Sequence, residues 1–278
     1  MRNNSSMNRV QRAAFAAITG ITAGAIVLGI SPVAVASNPS QAEQSAGIVE
    51  KATGVSDLTA VVSAPGAAGQ SETSTVAGDI TVVAPKTASG SVEVALEGVD
   101  SFSLGLPGSK SIPGIAGGDG TIVYPDAARS ADLAVQPTND GGVRTLVTIK
   151  DGSASKEWRF PLTLPEGATA ELQSDGSVEL TAETEGASIV IGRIAPPWAK
   201  DANGEAVPTS YRVERTTLVQ DVDFTEDTAF PVVADPKVEG GSIFGTIRFN
   251  KSETSRIAAG GAAYRQVGQA GRQVAADQ

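Results

Sequence analysis

The sequence contains no cysteine and no histidine. Without thiols there is no disulfide framework, no thiolate metal site and no cysteine nucleophile; without imidazole, histidine-dependent triads and the usual zinc ligand sets are excluded. Aromatic residues are scarce, at 4%, but 41% of the 278 residues are hydrophobic. A chain of this length has room for one or two domains that bury a core without covalent staples. Basic residues are outnumbered, 21 against 31 acidic, for a net charge of -10. So acidic a chain is repelled by nucleic-acid phosphates and by anionic lipid head groups, and neither is an expected partner.

Residues 1–36 lack acid altogether. Arg2, Arg9 and Arg12 precede an uncharged apolar run over 13–30; Pro32 follows it, and Ala34-Val35-Ala36 is a small-x-small site. These are the three parts of an export signal, with cleavage after Ala36 leaving Ser37 as the mature N-terminus. Arg9 and Arg12 are not adjacent, so ordinary Sec export is expected rather than the twin-arginine route. The competing reading is an uncleaved anchor, since the apolar run approaches spanning length. Gly20, Gly24 and Gly29 make it only mildly hydrophobic, and no later segment is apolar enough to span. The expected location is secreted, or associated with the cell surface.

Residues 37–77, rich in Ala, Ser, Gly, Gln and Thr, have the composition of a flexible linker. From residue 78 the texture changes to short alternating apolar runs separated by Gly, Asp, Asn and Pro. This predicts a mainly β, antiparallel sandwich-like module over 78–236. Strands are expected at 79–83, 91–97, 101–106, 121–124, 131–136, 143–150, 156–164, 169–173, 177–183, 188–194, 210–215 and 218–224, with a glycine-rich loop at 114–120. Trp158, Phe160, Leu162 and Leu164 share one strand face, opposite Arg159, Pro161 and Thr163. Pro161 cannot donate a ladder hydrogen bond, which predicts an edge strand or a bulge there. At 170–180 a three-residue loop, Ser174 to Gly176, pairs Leu172 with Val178 and Ala170 with Leu180, with Gly176 left-handed.

The last segment, 237–278, reads as a strand at 242–249 followed by a short helical tail. Asn250-Lys251-Ser252-Glu253 has capping-box spacing, and Ile257, Tyr264, Val267 and Val274 recur at near-helical intervals. Gly260, Gly261, Gly268 and Gly271 each weaken that helix by about 1 kcal/mol. Arg256, Arg265 and Arg272, with Tyr264, make a basic, partner-facing stripe in an acidic protein, or simply a solvated face.

Carboxylate or Ser/Lys chemistry remains open. No G-x-S-x-G elbow, P-loop or S-x-x-K motif stands between a strand and a helix, and Ser109-Lys110-Ser111 is not one. Asp221 and Asp223 share a strand face about 7 Å apart, a spacing that would suit a glycosidase pair. The same alternation marks the solvent face of a half-buried strand. Glu226 and Asp227 would extend the pair to a cation site. Asp201-Ala202-Asn203-Gly204-Glu205 has a superficial calcium-loop look, but lacks the third acidic position and the distal glutamate; as a tight turn it needs neither. Trp198, after Pro196-Pro197, is either an exposed aromatic for a sugar or, as Trp more often is, a core anchor.

Several blocks carry a resemblance. Phe160-Pro161-Leu162-Thr163-Leu164-Pro165-Glu166-Gly167-Ala168 and Ala195-Pro196-Pro197-Trp198-Ala199-Lys200-Asp201-Ala202-Asn203-Gly204 resemble blocks of a group of uncharacterised secreted actinobacterial proteins. Val207–Tyr211, Leu218–Asp223 and Pro231–Pro236 follow in the same order, and Val82–Pro85 and Leu104–Gly108 are similar to N-terminal blocks of that group. The doubled proline at Pro196 and the cysteine-free tail depart from its pattern. The resemblance implies an exported β-rich module with a variable C-terminal segment, and it brings no catalytic residue. The function expected from the whole is a non-catalytic extracellular module, with no cofactor, presenting its C-terminal segment to a protein or envelope component. The alternative is a carboxylate-dependent hydrolase of envelope or environmental glycan.

Overall fold

The computed structural model describes residues 39–59, 73–77, 80–96, 99–184, 187–240 and 246–248. The chain divides into two units, Met1–Ala36 and Ser37–Gln278, and every described residue belongs to the second. Helix α1 (Pro39–Thr53) is followed by β1 (Thr73–Ala77), β2 (Ile80–Ala84), β3 (Ser91–Leu96), β4 (Val99–Gly105), β5 (Ile115–Gly117) and β6 (Thr121–Ala128). Then come β7 (Ala131–Pro137), β8 (Val143–Ile149), β9 (Glu157–Thr163), β10 (Thr169–Leu172), β11 (Val178–Thr184) and β12 (Ala187–Ile194). The series ends with β13 (Ala199–Lys200), β14 (Thr209–Glu214), β15 (Thr217–Val222), β16 (Val232–Ala234), β17 (Lys237–Val238) and β18 (Thr246–Arg248). The fold is mainly β, and the described strand pairs are antiparallel.

A seven-stranded sheet runs β1-β2-β3-β4-β9-β15-β14. An eleven-stranded sheet runs β10-β11-β12-β17-β8-β7-β6-β5, with β16 also on β8, β13 on β16 and β18 on β12. One apolar cluster draws on both: Val92, Leu104, Phe160 and Leu218 from the smaller sheet meet Ile122, Leu133, Val147, Leu180 and Ile194 from the larger. The alternation of β9 is realised, with Trp158, Phe160 and Leu162 buried and Arg159, Pro161 and Thr163 exposed. The hairpin register is also the expected one, Leu172 opposite Val178 and Ala170 opposite Leu180, with Gly176 at φ +85.

Pro161 does not mark an edge. β9 lies inside the sheet, paired to β15 through Glu157–Pro161 and to β4 only at Leu162 and Thr163. The proline sits where the strand exchanges one partner for the other. Gly105 ends β4 beside it, and a Cβ there would lie 3.0 Å from the Pro161 ring. The missing donor is thus placed where the β4 ladder has already stopped. The expected loop at 114–120 contains the short strand β5.

The expected linker over 37–77 is corrected at both ends: Thr73–Ala77 is β1, paired with β2, and the first part is helical. Residues 39–53 form α1, which packs on the outer face of the larger sheet. Ala42, Ala46 and Val49, spaced as one helical stripe, meet Val123, Ala134, Leu146 and Val233 in a second apolar cluster. This explains why β7 and β8 are buried along their whole length: one face meets the other sheet and the other meets the helix. The small residues that look like linker composition are what let the backbones approach. A Cβ on Gly117 would lie 3.0 Å from the Ala42 carbonyl oxygen. Hydrogen bonds fix the helix at several points. Ser45 Oγ donates to Asp132 Oδ2 at 2.6 Å, and Glu50 Oε1 accepts from Asp119 N at 2.8 Å and Thr121 Oγ1 at 2.7 Å. Lys51 Nζ donates to the Ala202 carbonyl and Lys200 Nζ to that of Ala52. Beyond the helix, Asp57 pairs with Arg144 and Thr59 N donates to Pro137 O.

The packed module does not stop at Pro236. Val238 is fully buried in β17, between β8 and β12, and Glu239 pairs with Arg193 at 2.8 Å. The strand expected at 242–249 is represented by β18, whose backbone pairs with β12. The expected helical tail lies outside the described residues.

Candidate functional site

The seven-stranded sheet exposes a charged face built from β9, β15 and β14. Val219 points outward on β15, opposite Arg159 on one side and Arg212 on the other, yet it is fully buried. The aliphatic stems of the two arginines account for that cover. Their guanidinium groups are matched by carboxylates. Arg159 reaches Glu157 at 2.8 Å and Glu214 at 2.5 Å; Arg212 reaches Glu157 at 2.5 Å, Glu214 at 2.9 Å, and Asp221. Hydrogen bonds from Arg159 and then Arg212 hold the Glu157 and Glu214 carboxyls below the usual range. This is a closed set of alternating charges in which each carboxylate has an arginine partner.

Asp221 therefore belongs to an arginine network, whereas Asp223 is exposed and pairs with Lys156 at 2.9 Å. The two share a face, as the alternation implied, but have separate cationic partners. Lys156 lies 5.3 Å from the Phe224 ring centroid, and Phe224 meets Phe230 edge-on at 5.5 Å. Glu226 lines a shallow depression of about 460 Å³ with these side chains, and Asp227 is exposed beside it. Among the described residues no group of three or more acidic side chains is placed to hold a metal ion. Asp221→Asn and Asp223→Asn are each expected to change stability by less than about 0.5 kcal/mol, the range of ordinary surface substitutions, as read by urea unfolding. A variant that folds normally but loses a biological activity would restore the catalytic reading.

Asp201 makes a turn. Its Oδ1 accepts from Asn203 N and Glu205 N, both at 2.9 Å, and Gly204 takes φ +86. Trp198 is half-buried against the α1 cluster, with Lys200 Nζ 5.2 Å from its ring centroid. The end of α1, this turn and β16 enclose a depression of about 210 Å³, with Ile48, Lys51, Lys200 and Val233 among its walls.

Beside Trp198 lies a buried polar pocket that sequence reasoning missed. Asp235, just past β16, is 1% exposed. Its Oδ1 accepts from Trp198 N at 3.3 Å, its own N–H donates to Trp198 O at 3.4 Å, and Tyr211 OH donates to its carbonyl oxygen at 3.0 Å. Gln220 Nε2 reaches the same Trp198 carbonyl at 3.5 Å and Thr209 Oγ1 at 3.1 Å. Asp235 Oδ2 and Gln220 Oε1 are buried acceptors with no donor among the described residues. Burial pushes the Asp235 carboxyl up to about 7, against partial opposition from the Trp198 hydrogen bond and Arg144. Burial and the Asp235 charge push the Tyr211 phenol well above its ordinary value. The only hint in the sequence is an acid closing the apolar run Val232-Val233-Ala234.

The expected cleavage residues Ala34, Ala36 and Ser37 and the tail residues Arg256, Tyr264, Arg265 and Arg272 lie outside the described residues. No protein-family model, curated protein or solved structure matches this chain.

Proposed function

We propose that the protein is a secreted or cell-surface, sandwich-like module that does no chemistry of its own and presents its C-terminal segment to a protein or envelope component. The observation that carries this reading is the placement of β18. Thr246–Arg248 is added to β12 in register, Ser188 opposite Arg248, so the chain is fixed to the larger sheet as far as residue 248. The sequence after it is Ala/Gly-rich and carries Arg256, Arg265 and Arg272 in an otherwise acidic chain. A segment with few large side chains orders by binding more readily than by packing on itself. The hydrolase alternative is weakened by the pairing of Asp221 with Arg212 and of Asp223 with Lys156. No cofactor is part of the reading.

The test compares labelled chains 37–278 and 37–249 for retention on washed envelope fractions of the producing cell. The full chain should be retained at least about tenfold more, and the thermal midpoints should agree within roughly 2–4 °C, the shift that 1 kcal/mol produces in a domain of this size. Equal retention would remove the tail from the binding role. Unfolding of the shorter chain would make the tail part of the core.

A further inference from the structure

Asp235 sits where three elements are tied together. Trp198 leads into β13, whose residues Ala199 and Lys200 pair with Ala234 and Val233 of β16. The Trp198 ring packs on the α1 cluster, and Lys200 Nζ holds the Ala52 carbonyl near the end of α1 at 3.0 Å. Asp235 binds the Trp198 peptide at both its N–H and its carbonyl. We propose that the Asp235 carboxyl is a pH-operated latch on this seam, closed while the acid is neutral and loosened when it ionises.

The geometry supplies the reason. A neutral carboxyl brings a donor that a carboxylate lacks, and a donor is what the pocket is short of: Asp235 Oδ2 and Gln220 Oε1 both lie buried with none. An ionised Asp235 would be held by the long hydrogen bond from Trp198 N to Oδ1, with Oδ2 buried and lacking a protein donor, a costly state for a buried charge. The surrounding charges do not relieve it. Arg144 from β8 attracts the carboxylate, but its two terminal nitrogens are already taken by Asp57. Tyr211 from β14 gives its hydroxyl to the Asp235 backbone carbonyl. Lys200 from β13 and Lys51 from α1 direct their ammonium groups to Ala52 O and Ala202 O, and Glu50 from α1 is engaged with Asp119 and Thr121. Lys237 from β17 acts on Asp140, and β15 brings only the neutral Gln220.

The sign follows from where the proton is held. The folded carboxyl keeps its proton to about 7, whereas the ordinary value is 3.8. Across that window the folded state binds more protons, so stability is highest at the acid end and falls as pH rises, with the loss complete above the folded value. One proton lowers the folding equilibrium constant by up to about tenfold per pH unit within the window.

Hydrogen exchange on the chain 37–278, corrected for intrinsic rates, at pH 5 and pH 8 tests the latch. At pH 8 the amides of Trp198–Lys200, Val232–Asp235 and the last turn of α1 should lose protection while β7 and β8 keep theirs, and the thermal midpoint should be lower than at pH 5. Asp235→Asn, neutral at both values, should abolish the difference, and Asp223→Asn should leave it intact. The ¹³C shift of the Asp235 carboxyl in the unaltered protein, followed from pH 4 to 8, reads the same group without any substitution and should titrate near neutrality. A carboxyl already ionised at pH 5, equal protection at both pH values, or an unchanged pH dependence in Asp235→Asn would each overturn the proposal.

Discussion

A chain beginning at residue 60 should lose cooperative folding, or unfold at far lower urea than one beginning at residue 37. The deletion removes α1 and the turn that follows it, and bares Val123, Ala134, Leu146 and Val233, which the helix covers with Ala42, Ala46 and Val49. At about 1.5–3 kcal/mol for each large apolar side chain returned to water, the loss is roughly 5 kcal/mol or more, against a typical total stability of about 5–15 kcal/mol. Polar losses add to this. Asp132, 3% exposed, would forfeit its bond from Ser45, and the nearly buried Arg144 would lose Asp57. A gentler version is Ala46→Leu. The side chain is fully buried where the helix passes closest to Gly117, and overpacking of this kind costs about 1–3 kcal/mol. If the shortened chain unfolds at the same urea concentration as the longer one, the helix is not docked in solution and 37–59 returns to the status of a spacer.

The strands were legible because alternation is a local property. β9 shows its buried and exposed residues in strict succession, and the 170–180 hairpin has a register that keeps its apolar residues on one side, so both follow from side-chain period alone. Helix α1 was not legible because its contact stripe, Ala42, Ala46 and Val49 beside Ser45, holds only one large apolar side chain. Those residues carry little apolar weight, and their value appears only when a glycine of another element, Gly117, comes close. The surface that receives it was hidden for the complementary reason: β7 and β8 are buried on both faces, so Ala134 and Leu146 read as ordinary core. Pro161 misled because the edge rule assumes one neighbour along the whole strand, and β9 changes neighbours at that residue. The candidate carboxylates were placed on the right face. The pairing of Asp221 with Arg212 required the β14–β15 register, which turns at Arg215 with a positive φ and brings Arg212 beside Asp221, while Asp223 is paired by Lys156 from a distant part of the sequence. Asp235 needed still more: its pocket joins residues from four separate segments, and nothing within its own segment specifies the donors it lacks.

Phe160→Ala should be among the most damaging single substitutions in the protein. Phe160 is fully buried at the centre of β9, the strand that joins β1–β4 to the β14–β15 hairpin within one sheet. On the hairpin side the ladder is long, five residue pairs from Glu157 to Pro161. On the β4 side it is only two, Ser103 with Thr163 and Leu104 with Leu162. Little backbone pairing therefore holds the two halves of the sheet together at this point, and the shared side-chain core carries the rest. Phe160 opposes Leu218 across the β15 pair and belongs to the same cluster as Leu104 and the inner residues of the larger sheet. Truncating it leaves a cavity beneath the one junction that the ladder supports least. The cost of a buried Phe→Ala change is about 3–5 kcal/mol, and this site should fall at the upper end, because Pro161 and the rigid strand around it limit collapse into the void. Phe160→Leu, which refills most of the volume, should recover more than half of the loss, whereas Pro161→Ala, exposed on the opposite face, should cost little. Urea unfolding of the three variants measures these differences. A small effect of Phe160→Ala would show that the β4–β9 junction is held by its two ladder pairs and not by the core behind it.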